Sequence, residues 1–149
     1  DSSTAMGIGY TGVEGLSLNY ARGEANGTAA ATVDVRTMKA SYAYGSFTVS
    51  ASDTEYDSEV TTTTVDQDVT SWNISYTVSD NLSVSYGVDE IALPDVSTDE
   101  DIEVSALSAS YTTGGMTISG MMGSADNMSH TTAVTEDREM WHLVASFAF

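Results

Sequence analysis

The chain has 149 residues, one proline, no cysteine, and 22 acidic residues against four basic ones, giving a formal net charge of -18. That balance excludes nucleic-acid binding, which needs clustered Lys and Arg to neutralise phosphates. The lack of cysteine excludes a disulfide scaffold and thiolate chemistry, and no apolar run approaches the roughly 20 residues of a spanning helix.

From the N-terminus onward the pattern has period two. The opening DSSTAMGIGY lacks the basic start and apolar core of a signal peptide. Met6, Ile8 and Tyr10 alternate with small residues, turn at 11–15, and resume as Leu16, Leu18 and Tyr20. Met38, Ala40, Tyr42 and Tyr44 turn at 45–46 into Phe47, Val49 and Ala51. The clearest run is SWNISYTVSDNLSVSYGVDE, where Trp72, Ile74, Tyr76 and Val78 oppose Asn73, Ser75 and Thr77. After the turn at 79–81, Leu82, Val84, Tyr86 and Val88 oppose Ser83, Ser85, Gly87 and Asp89, which predicts a hairpin with one apolar face. Leu107, Ala109 and Tyr111 turn at 113–115 into Met116, Ile118, Gly120 and Met122, and Trp141 to Phe149 forms a last run. These make about nine strands. The short turns alternate with long segments at 23–32, 53–69, 90–101 and 124–138, where most of the acids and Pro94 lie.

The polar side decides between a soluble sandwich and a membrane wall. Soluble sheets carry Lys, Glu and Arg on the solvent face and guard their edges with charge. Here the polar positions are mostly Ser, Thr, Asn and Gly. The aromatics fall at two levels: Tyr10, Tyr44, Phe47, Tyr111 and Phe147 near the short turns, Trp72, Tyr86 and Trp141 towards the long segments. That is the arrangement of an interfacial girdle. The expected fold is all-β, an antiparallel transmembrane β-barrel forming one domain over 1–149 and sitting in a bacterial outer membrane. A closed barrel satisfies every backbone group in lipid without a helix.

The chain ends WHLVASFAF, and the terminal Phe149 resembles the assembly signal on the last strand of outer-membrane barrels. With strands such as NISYTVSDNLSVSYGVDE and SASYTTGGMTISGMMGSADN, the chain resembles Gram-negative porins of the alphaproteobacterial general-diffusion type. The resemblance implies a sixteen-stranded, usually trimeric barrel passing small hydrophilic solutes and cations among outer-membrane lipids, with no bond made or broken. An odd strand count, with a last strand ending at the periplasmic face, implies the C-terminal portion of a longer porin.

The alternation places Lys39, Asn73, Asp89, Arg138 and His142 on the polar side as candidate pore-lining residues. Arg22 and Arg36 share parity with apolar neighbours near the outer strand ends, where long side chains snorkel. Asp53, Glu55, Asp57 and Glu59 offer the hard oxygens that calcium prefers, but lack the glycine of an EF-hand loop, so a solvated acidic rim competes. His130 falls in a long segment and is expected to be solvated. No Walker loop, zinc spacing or nucleophile elbow occurs, and the reading is of a protein without catalytic activity. Two alternatives stay open: a lipase- or protease-like barrel enzyme using His142, and a secreted acidic β-rich adhesin.

Overall fold

The computed structural model describes residues 2–26, 32–58, 66–94, 100–130 and 137–148. Nine strands run β1 Ser2–Tyr10, β2 Leu16–Asn26, β3 Thr32–Tyr44, β4 Phe47–Ser58, β5 Gln67–Ser79, β6 Leu82–Ala92, β7 Ile102–Thr113, β8 Met116–Asp126 and β9 Arg138–Phe147. They form one sheet in chain order, each strand antiparallel to the next. The tight turn between β7 and β8 is made by Gly114 and Gly115, both with positive φ, as the primed two-residue hairpin turn requires.

Paired residues share a face, so the registers carry each face across the whole sheet. One row links Tyr10, Leu18, Ala40, Ala51, Trp72, Val88, Ser105 and Ser124. Tyr10 is the last residue of β1 at its short turn, whereas Ser124 lies eight positions beyond Met116, the short-turn end of β8. With about 3.3 Å of rise per residue and about 4.8 Å between strands, this stagger over seven steps corresponds to a strand tilt of about 38°. Barrel walls have tilts of roughly this size.

Counting upward from the short-turn end of each strand, polarity follows height. On the face called outward here, apolar residues fill the lower levels, as with Tyr44, Tyr42, Ala40 and Met38 on β3 or Phe147, Ala145, Leu143 and Trp141 on β9. Eight positions up, the same face turns charged or polar: Arg36, Glu55, Glu24, Glu90 and Glu139, with Ser105 and Ser124 joined by a 3.0 Å hydrogen bond. The opposite face does the reverse. Ser, Thr and Asn dominate below, and Val35, Tyr56, Val69, Ile91, Ile102 and Val104 take over above.

This inversion corrects one expectation. Asp53, Glu55, Asp57, Asp68, Glu90 and Asp126 were expected in long loops, but all lie within strands. Alternation persists there with the faces exchanged, so a search for the apolar side of the lower sheet loses the strand. Among the described residues none is buried, and Met6, Ile8, Trp141 and Leu143 are each more than two-thirds exposed. A single layer with no core stands in water only if another layer covers it. Hydrocarbon can serve as that layer.

Candidate functional site

The lower part of the polar face is the candidate site. Lys39, Asn73, Asp89 and His142 fall on it, and Arg138 has the same parity but lies above it, at the upper end of β9. A concavity of about 520 Å³ is lined by Lys39, Ser52, Ser71, Asn73 and Asp89, with Val104 and Ala106 at its upper side. Lys39 and Asp89 share one register row through Ser52 and Ser71. Three strand spacings put them about 14 Å apart, a cation facing an anion across hydroxyls. The hydroxyl lining is tied across strands, with Ser85 and Ser108 at 2.7 Å and Thr37 and Thr54 at 3.1 Å. Neutral hydroxyls exchange hydrogen bonds with water or with other polar groups at little cost, because no charge must be desolvated.

His142 lies apart from that concavity. It lines a second one, of about 410 Å³, with Ser108, Ser110, Ser119 and Met121. Arg138 stands near the upper end of β9 and donates to its neighbour Asp137 O at 3.1 Å.

The aromatic residues expected as a girdle all lie on the outward face. Phe47 stacks on Tyr76 with ring centroids 4.5 Å apart, and Trp72 meets Tyr86 edge-on at 5.5 Å. Cross-strand aromatic pairs of this kind stabilise a sheet by about 0.5 kcal/mol each. Phe149 lies outside the described residues.

The expected calcium ligands do not converge. Asp53, Glu55 and Asp57 alternate along the outward face of β4, about 6.6 Å between successive residues. Glu55 is engaged by the Arg36 guanidinium, and Asp53 accepts from Thr70 Oγ1 at 3.4 Å. Glu59 lies outside the described residues, among which no group of three or more metal-ligating side chains is gathered. Arg22 likewise bonds Asp34 at 3.1 Å, so both outward arginines have carboxylate partners rather than simply reaching to headgroups. His130 is not simply solvated. It adopts φ 53°, its ring Nδ1 stands 3.0 Å from Glu100 O, and Glu100 N donates to His130 O at 3.2 Å. Two consecutive long connections are thereby joined at their bases. The sequence carried no signal for that contact.

No protein-family model and no curated protein matches the chain in sequence. Among solved structures, outer-membrane expressed OmpT of Vibrio cholerae superposes with a TM-score of 0.68 over 97% of this chain, at 13% identity. The fold is that of an outer-membrane β-barrel. The chain spans about half, 55%, of that structure's length.

The likeness also corrects the reading of the chain as non-catalytic. An outer-membrane barrel is a scaffold on which catalytic and transport sites are both built, so the shared fold removes the ground for excluding an enzyme. The concavity holding His142 beside serine hydroxyls is where catalysis would be sought.

Proposed function

We propose that this sheet is wall of a porin in a bacterial outer membrane, a water-filled channel for passive diffusion of ions and small hydrophilic solutes. The observation that carries the reading is the opposition of faces in the lower sheet: aliphatic and aromatic residues outward, Ser, Thr and Asn on the other side. A wall with hydrocarbon on one side and water on the other needs that opposition. The resemblance adds a homotrimer embedded in outer-membrane lipids. The net charge of -18 and the carboxylates at the upper ends of the strands favour cations near the mouth.

Planar-bilayer recording tests this. Stable conductance steps are expected, and under a potassium chloride gradient the reversal potential should take the sign of cation preference. Anion preference would sink the electrostatic part, and absence of steps the channel itself.

A hydrolytic barrel is the second reading, favoured by His142 sharing a concavity with Ser108, Ser110 and Ser119. The residues lining it include no carboxylate to orient the imidazole. Loss of ester or peptide cleavage on His142→Ala, with folding intact, would establish this reading in place of the channel.

A further inference from the structure

We propose that the upper part of the inward face is an apolar selectivity collar, which favours solutes carrying an apolar surface over equally sized, wholly polar ones. The inference rests on the channel reading and deepens it. Val35, Tyr56, Val69, Ile91, Ile102 and Val104 occupy levels nine to eleven of their strands, on the same face as the hydroxyls below. They form two patches set diagonally to each other: Val35 pairs with Tyr56 on β3 and β4, and Val69, Ile91 and Ile102 pair in turn on β5 to β7, while Tyr56 itself pairs with Gln67 and Val69 with Thr54. Val104 pairs with Asp89 at the top of the polar zone, and on β9 the corresponding level holds Arg138.

Hydrocarbon does not account for this apolar strip. At the same heights the outward face carries Glu24, Asp34, Arg36, Glu55, Asp57, Asp68, Glu90, Glu103 and Asp126, so the exterior there is water or headgroups. Nor is the strip closed off. Tyr56 is 41% exposed, and Val104 opens into the same concavity as Lys39, Asn73 and Asp89. A solute entering from the long-loop side therefore meets methyl and ring surfaces before it reaches the hydroxyls. A fully hydrated polar solute gains nothing from that zone, whereas one with an aliphatic side chain removes apolar area from water on both partners. The predicted solute class is a small zwitterion or polar molecule with one apolar flank.

Leucine and asparagine suit the test, since both are zwitterions of nearly equal mass and differ in side-chain polarity. Liposomes containing the full chain are diluted into each, and swelling rates are compared. Leucine should enter about threefold faster, the scale of partial apolar contact. The triple variant Val69→Thr, Ile91→Thr, Val104→Thr keeps β-branched shapes and should bring the ratio close to one. Heat-modifiable gel mobility verifies that it is folded, and the wild-type ratio stands as evidence by itself if it is not. Equal rates in the wild type, or a folded triple variant with an unchanged ratio, would overturn the collar while leaving the channel intact. No swelling with any solute would remove the channel and the collar together.

Discussion

Single residues act here through backbone geometry and parity. Gly15 has φ 77°, and a Cβ there would stand 2.2 Å from Ala43 O, a backbone atom that cannot yield cheaply. Gly45 also has a positive φ, 58°, but faces open space. Gly15→Ala should therefore cost more than Gly45→Ala, roughly 3 against 1 kcal/mol. Urea unfolding midpoints in detergent would read the difference, and equal midpoints would show that the close approach is relieved. Parity made Lys39, Asn73, Asp89, Arg138 and His142 legible in the sequence, because period two assigns a face without any knowledge of neighbours. The ion pairs Arg22–Asp34 and Arg36–Glu55 were not legible. Each joins two strands, and only the register between the strands brings them together.

Among the elements, the short turns and the lower strands were plain in the sequence, since glycine and small polar residues punctuate a strict alternation. The upper strand ends were not. Past Ala51 on β4, the outward positions run Asp53, Glu55, Asp57, and the run reads as an acidic loop unless Thr54 and Tyr56 are recognised as the new inward side. The strand carries opposite polarity in its two halves because its surroundings change along its length. Neighbouring positions of β5 separate the two faces experimentally. Ile74→Arg puts a charge between Val49 and Tyr86 on the outward face, at a cost of about 2–4 kcal/mol near mid-bilayer. Ser75→Arg, one residue on, should leave the folded fraction unchanged and lower single-channel conductance. If both substitutions cost the same stability, the assignment of faces fails.

For the whole molecule, the lack of buried residues among those described governs behaviour in solution. Stability must come from the surrounding phase and from backbone pairing, so the chain should fractionate with membranes and leave them only with detergent. Recovery in the soluble fraction without detergent would favour the adhesin alternative. The barrel class was visible in composition and alternation alone; the apolar patches on the upper inward face were not, because which side chains share a height depends on the register between neighbouring strands.

The height at which polarity reverses also sets a thickness. The outward apolar band runs from the short-turn ends to Met38, Trp72, Leu107 or Trp141, six or seven positions up. At about 3.3 Å per residue and a tilt of about 38°, that is about 16–18 Å of vertical extent, less than the roughly 25 Å apolar band usual for such barrels. Ordinary bilayers would thin around this wall or draw its lower charges inward, either at some cost per ångström of mismatch. The protein should therefore fold more completely into vesicles of short-chain lipid than into long-chain ones, so that bilayer thickness itself becomes a control on how much of it is in the folded state.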